Sequence, residues 1–284
     1  RFELLICGHI NLLPLAATLA WTKGIPLVAM AYGIDVWQQP FRFVRLWLKR
    51  ADAVWSISAI TRERMQTWAA IDSDNFSILP NAIHLDRYGM GTARADLVAR
   101  YALQGRNVLL TLGRLSAAER YKGVDEVLDA LPELISHTPS LMYLVAGDGD
   151  DRQRLAKKTQ RLQLHEHVTF VGFVPEQEKA DYYRLADVFV MPGRGEGFGF
   201  VFLEALACGI PVVGSQLDGS REALLHGELG ELADPRDPAS IRSAIMKSLA
   251  KPKHIPSALS HFAWSAFVDR LTQAAQKIQP RIVY

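Results

Sequence analysis

Two short apolar runs in the second half of the chain bracket a glycine-rich loop and a helix, and that order admits few folds. Residues 186–192, Ala-Asp-Val-Phe-Val-Met-Pro, form a β-branched run of buried-strand character. Residues 201–207 have helical propensity and stop at Gly209, the expected residue just past a helix end. Residues 210–213, Ile-Pro-Val-Val, begin another strand. Strand, loop, helix, strand is the unit of a parallel sheet. Glu196 then falls in a loop at the carboxyl end of a strand, where open α/β sheets bind ligands. Glu204 lies about two turns further on, along the helix. The N–H groups of Gly197, Phe198 and Gly199 open that helix and can receive an anion. The plain alternative is an ordinary crossover with a solvated Glu196 and a capping Glu204.

A second site stands upstream. Residues 107–112 read as a strand ending in Gly113-Arg114, and Lys122-Gly123 follows a few residues later. A guanidinium can fork onto phosphate oxygens and an ammonium can act as a point charge, so Arg114 and Lys122 together suit a diphosphate. Taken alone they read as surface cations, the usual fate of Lys and Arg. Between the two sites the alternation continues. Strands are expected at 141–146 and 168–174, a Gly-Asp-Gly-Asp turn at 147–150, a charged helix at 152–164 and a short helix at 181–186. A parallel, doubly wound sheet follows from that pattern.

The spacing of Glu196 and Glu204, the glycines between them, the strand flanks, and the Gly-Arg and Lys-Gly pairs together resemble the retaining glycosyltransferases of family 4. The resemblance covers the chain from Gly8 onward. It implies an α/β protein of two Rossmann-like domains facing a cleft, the glycosyltransferase B fold. It also implies a hexose moved from a nucleotide-diphosphate sugar to a glycan or lipid-linked acceptor in surface polysaccharide synthesis. Carried over, Glu196 contacts the donor sugar and Glu204 the ribose, while Arg114 and Lys122, after Gly113, hold the diphosphate. The segment at Phe173-Val174 lies beside the base, largely through backbone atoms. No enzyme nucleophile is evident, so catalysis rests on positioning and on stabilising the departing diphosphate. No cofactor is expected, and activity is expected to be independent of metal. Asp148 and Asp150 have a metal-like spacing but follow a turn that the family does not use for metal.

The first hundred residues read as part of another such domain. Strands are expected at 2–7, 25–31, 53–58 and 76–81, with helices at 12–20, 41–49 and 59–68. Two side chains stand at strand ends as candidates for the cleft. His9 can also be read as a hydrogen-bonded structural histidine. Tyr32 stands where many family members have His before Gly33, and it can also be read as a packed interface aromatic. Tyr donates a hydrogen bond but cannot serve as a base near neutral pH. Pro80-Asn81, Asp86 and Tyr88 resemble the interdomain pattern of the family, with Ala82 at its usual glycine. The expected division is 1–103 for a partial first domain, 104–260 for the donor domain, and 261–284 for a helix returning to the first. The first domain is expected to be incomplete, with roughly ninety residues of the family's pattern preceding Arg1, and much of the family's acceptor loop lies there.

Composition adds exclusions. A net charge of +2 over 284 residues argues against nucleic-acid binding. Two cysteines, Cys7 and Cys208, in apolar surroundings read as buried thiols of a reducing cytosol. No Cys/His cluster has metal spacing, and no apolar run is long enough to span a membrane. The cytoplasm is the expected location, with peripheral contact at the inner face of the membrane as an alternative. Residues 40–50 carry Trp47, two phenylalanines and the cations Arg42, Arg45, Lys49 and Arg50. They read either as a helix lying on an anionic membrane or, the favoured reading, as a core-facing helix with solvated cations. Two other functions share these features: a nucleotide-sugar epimerase of the same fold, and a non-catalytic sugar-nucleotide-binding subunit.

Overall fold

The computed structural model describes residues 2–39 and 42–278. The chain divides into two compact units, one of Arg1–Ala82 with Phe262–Tyr284 and one of Ile83–His261.

The first unit holds strands β1 (Leu5–Cys7), β2 (Leu27–Ala31), β3 (Ala53–Ser56) and β4 (Phe76–Ile78), all parallel and paired in that order. Parallel neighbours cannot be joined by a tight turn, so each connection carries helix. These are α1 (Leu13–Lys23), α2 (Ile34–Trp37) with α3 (Arg42–Leu48), and α4 (Ala59–Ala69). Helix α1 carries Pro14 in its first turn, where its missing N–H costs no intrahelical bond, and ends at a left-handed Gly24. Ser58 caps α4 by accepting the Thr61 N–H at 3.2 Å.

Phe41, expected to open the third helix, lies outside the described residues, as do the side chains of Arg42 and Phe43. Val44 and Leu48 of α3 are buried in the core with Ala16 and Ala20 of α1, and Trp47 packs against the same cluster. The apolar side of α3 is therefore core-facing. Leu46 is exposed, and the Arg50 guanidinium lies 5.2 Å over the Trp47 ring.

The second unit is a six-stranded parallel sheet in the order β10-β9-β8-β5-β6-β7. Its strands are β5 (Asn107–Leu112), β6 (Leu141–Ala146), β7 (Val168–Gly172), β8 (Val188–Val190), β9 (Val212–Ser215) and β10 (Glu231–Ala233). Its helices are α5 (Ala95–Arg100), α6 (Val124–His137), α7 (Arg152–Arg161), α8 (Lys179–Leu185), α9 (Phe200–Ala207), α10 (Ser220–Ala223) and α11 (Pro238–Leu249). Leu109, Val145, Val190 and Val213 of the sheet pack with Val127 and Leu131 of α6 and Ile241 and Ile245 of α11. Burial on both faces is what allows these strands to be almost wholly apolar. The chain winds from β5 to β7 in one direction, then returns to β8 on the other side of β5. The loops after β5 and β8 consequently leave in opposite senses and open a crevice between them.

Residues 83–103 group with this second unit, not with the first as the sequence division had it. Leu97 and Leu103 are buried. Arg94 pairs with Asp181 at 3.3 Å, and the Tyr101 and Tyr182 hydroxyls stand 3.1 Å apart. In the first unit, α12 (Trp264–Gln276) lays Phe267, Leu271 and Ala274 against Val28, Trp55 and Leu79.

Candidate functional site

The loop after β5 brings the two expected cations onto one carboxylate. Glu119 is buried; Arg114 pairs with its Oε1, and Lys122 Nζ lies 2.8 Å from its Oε2. The side chain of Arg114 remains 77% exposed and that of Lys122 only 17%, so the two cations stand in different solvent environments. Glu119 was not among the sequence candidates. Its signal was its position three residues before Lys122, but sequence does not distinguish a buried acid from a solvated one.

The turn after β6 supports this loop from beside it. A Cβ on Gly147 would come within 1.8 Å of the Gly113 carbonyl oxygen, so only glycine permits the approach. Leu115 N–H donates to Asp148 O at 2.9 Å, and Ala117 N–H to Asp150 Oδ1 at 2.8 Å. The Gly-Asp-Gly-Asp turn thus holds the cationic loop in shape.

Glu196 sits in the loop after β8, on the other side of the switch point. Both of its peptide groups are anchored by the loop after β9. Its N–H donates to Asp218 Oδ2 at 3.0 Å, and its carbonyl accepts from Gly219 N–H at 2.8 Å. Burial pushes its carboxyl above the ordinary glutamate range. Lys122 opposes that rise, the Asp218 charge adds to it, and the Phe198 and Gly197 N–H groups oppose it. Those two amides thus act on the Glu196 carboxylate itself, where the sequence reading had them open to a ligand anion. The Phe198 ring is buried, and Gly199 leads into α9 with a left-handed backbone.

Glu204 is held differently. It lies on α9, 6% exposed. Tyr183 of α8 donates its hydroxyl to Glu204 Oε2 at 2.6 Å, and Lys179 Nζ stands 3.3 Å from Oε1. Burial and the Glu204 charge together push the Tyr183 phenol well up and raise that of Tyr88. Burial works against the Lys179 ammonium, but Glu176 at 2.8 Å and Glu204 outweigh it and its pKa is raised.

Lys179 also lines a cavity of about 260 Å³ with Gly113, Arg114, Phe173, Val174 and Glu176. Phe173 is exposed there and Val174 buried. One cavity therefore gathers four sequence candidates, and the Lys179 ammonium joins Glu204 to it. Lys179, Glu176, Tyr183 and Asp218 escaped the sequence reading.

The remaining candidates lie in the first unit. His9 is exposed after β1, and its Nδ1 accepts the Asn11 N–H at 3.2 Å. Tyr32 is exposed after β2, and burial and nearby Asp35 raise its phenol. A larger cavity, about 530 Å³, opens at the amino ends of β1 and β2 but contains none of the candidates. Among the described residues, no three His, Cys, Asp or Glu side chains gather as a metal site, and no helix is long and apolar enough to cross a membrane. Cys7 and Cys208 are buried free thiols.

Comparison with known proteins shows the family and the fold. The sequence pattern of the family described as "Glycosyl transferases group 1" matches residues 95–260. The chain is 33% identical over 267 residues to the GDP-mannose-dependent alpha-(1-6)-phosphatidylinositol monomannoside mannosyltransferase of Mycolicibacterium smegmatis, covering 87% of this chain and 69% of that protein. It is 39% identical over 178 residues to the phosphatidyl-myo-inositol mannosyltransferase of Mycobacterium tuberculosis, covering 62% of this chain and 44% of that one. Among solved structures, Anabaena HepE in complex with UDP superposes with a TM-score of 0.81 at 21% identity, over 97% of this chain and 79% of that one. Sucrose-phosphate synthase of Thermosynechococcus elongatus gives 0.74 at 23% identity, over 97% and 73%. The two parallel-sheet units are those of the glycosyltransferase B fold.

Proposed function

The chain belongs to the glycosyl transferases group 1, and from that premise we propose that it transfers a hexose from a nucleotide-diphosphate sugar to a glycan or lipid-linked acceptor with retention at the anomeric carbon. The observation that carries this reading is the switch point between β5 and β8. There, a loop with two cations and a loop with a raised carboxyl leave the sheet on either side of one crevice.

In this reading the diphosphate lies against Arg114 and Lys122, the base beside Phe173 and Val174, and the ribose hydroxyls against Glu204. The bond from the sugar's anomeric carbon to the diphosphate oxygen breaks as the acceptor oxygen bonds that carbon on the same face. The acceptor proton passes to the departing diphosphate, and no enzyme nucleophile is used. Lys122 and Arg114 stabilise the charge that grows on the leaving group, and the Glu196 carboxylate the positive charge that grows on the sugar ring.

The names of the mycobacterial relatives point to GDP-mannose as donor and a phosphatidylinositol-based acceptor. Such an acceptor would put the reaction at a membrane surface. A screen of GDP-mannose, UDP-glucose and other sugar nucleotides, read by sugar transfer to vesicles containing phosphatidylinositol or its monomannoside and to a panel of glycan acceptors, tests the reading. Transfer from GDP-mannose with an α-linked product supports it. An epimerised sugar nucleotide, or tight binding without any transfer, overturns it.

A further inference from the structure

The loop after β9 holds a second carboxylate beside Glu196. We propose that Asp218 is a positioning residue for the sugar-transfer step, fixing the Glu196 peptide and, through its negative charge, the behaviour of the Glu196 carboxyl. The inference rests on the reading of Glu196 as the donor-sugar contact.

Asp218 is fully buried. Its Oδ2 accepts the Glu196 N–H at 3.0 Å. Its Oδ1 accepts both the Ser220 hydroxyl at 2.6 Å and the Ser220 N–H at 3.0 Å. Ser220 Oγ in turn accepts the Ser215 N–H at 2.8 Å, at the end of β9. A chain of hydrogen bonds therefore runs from the sheet through Ser220 and Asp218 to the Glu196 peptide. The adjoining Gly219 completes the grip from the other side. Its N–H holds the Glu196 carbonyl, and a Cβ there would lie 2.1 Å from the Gly197 oxygen. The Glu196 backbone cannot move without breaking contacts to the end of a core strand.

The same carboxylate is an electrostatic neighbour. The titratable groups facing Glu196 are Lys122 and Tyr121 from the β5 loop and Asp218 from the β9 loop. Burial is the largest cause of the raised Glu196 pKa, and Asp218 adds to it against Lys122. A carboxyl held up in this way is the first to respond when the neighbouring charge is removed.

The test uses the full chain with 13C-labelled glutamate, the Glu196 signal being assigned by its loss in Glu196→Gln. In Asp218→Asn the midpoint of the Glu196 titration should fall by roughly half to one pH unit. GDP-mannose turnover, read as GDP release, should fall about tenfold while GDP affinity stays within twofold. An unchanged Glu196 midpoint overturns the proposal. Ser220→Ala keeps the Asp218 charge but removes its shortest hydrogen bond. This variant should lower turnover about threefold and leave the Glu196 titration in its raised position. Full turnover in Ser220→Ala overturns the proposal even where Asp218→Asn fails to fold. If Glu196→Gln itself retains full turnover, the assignment of Glu196 fails instead, and the titration still reads the Asp218 contact separately.

Discussion

The two glutamates of the motif are separated by seven residues and are immobilised by opposite means. Glu204 is held by its side chain, with Tyr183 and Lys179 gripping the carboxylate from the neighbouring helix. Glu196 is held by its backbone, with Asp218 and Gly219 gripping the peptide, while its carboxyl carries a raised pKa. A carboxylate whose oxygens are already spoken for is a fixed acceptor, suited to a contact that is the same before and during reaction. The Glu196 carboxylate, by contrast, meets the Gly197 and Phe198 amides and the charge of Lys122, and its raised pKa marks it as the less fully compensated of the two. On the proposed function, this difference in fastening would assign Glu204 to binding and Glu196 to turnover.

The sharpest test of that division is Glu196→Gln. Turnover should fall about 100-fold, the scale of one lost electrostatic partner, with the donor KM within a few-fold. A raised KM with turnover intact would break the comparison. Next come the cations. Lys122→Ala should weaken GDP binding by roughly 1.5–3 kcal/mol, as expected for charge-assisted hydrogen bonds. Arg114→Ala should cost less, because its side chain is mostly in water. Calorimetric titration ranks the two, and equal losses would remove exposure as the reason for the difference. Glu204→Gln should then weaken GDP binding about tenfold and leave turnover at saturating donor nearly unchanged.

A third carboxylate extends the comparison to stability. Burial pushes Asp125 up, but hydrogen bonds from Arg154 and Lys158 outweigh that and hold it at about 2, below its usual 3.8. Its folded pKa is depressed, so its stabilisation is present above the unfolded value and is lost as pH falls from about 4 to about 2. Asp125→Asn should therefore cost about 1–2 kcal/mol near neutrality and almost nothing below that window, as read by urea unfolding at several pH values. A cost that persists at the acid end assigns the loss to packing. The smallest expected effect is that of chelator: turnover should stay within experimental scatter in excess EDTA. Loss restored by magnesium or manganese breaks the assignment of Arg114 and Lys122 to the diphosphate.

The alternation of apolar runs with helical segments was enough to anticipate two parallel sheets, because period and strand flanks are local properties of the chain. The second unit also shows why Glu196 belongs at a strand end: β8 is only Val188–Val190, and everything after it must leave the sheet. What escaped was the fastening. Asp218, Glu119, Tyr183 and Lys179 meet the site through contacts that depend on how α8, the β5 loop and the β9 loop pack in space. No spacing along the chain records that Tyr183 will face Glu204 or that Asp218 will face a peptide at Glu196. For α3 the favoured reading, a core-facing helix with solvated cations, holds for Val44 and Leu48, which are buried in the core. Amphipathicity specifies that one side will be covered and leaves open by what.

Glu119 gives the cationic loop an internal counter-ion. On the proposed function, a diphosphate approaching Arg114 and Lys122 would not enter a bare positive well; it would exchange with the Glu119 carboxylate, as a solute does on an ion-exchange resin. Few mobile ions are released in such a trade, so affinity should fall only gently with ionic strength. Small anions such as chloride or inorganic phosphate, which cannot also engage the base and ribose contacts, should compete poorly with a tethered carboxylate. On that reading the internal counter-ion would keep the loop selective for anions that bring further binding energy of their own.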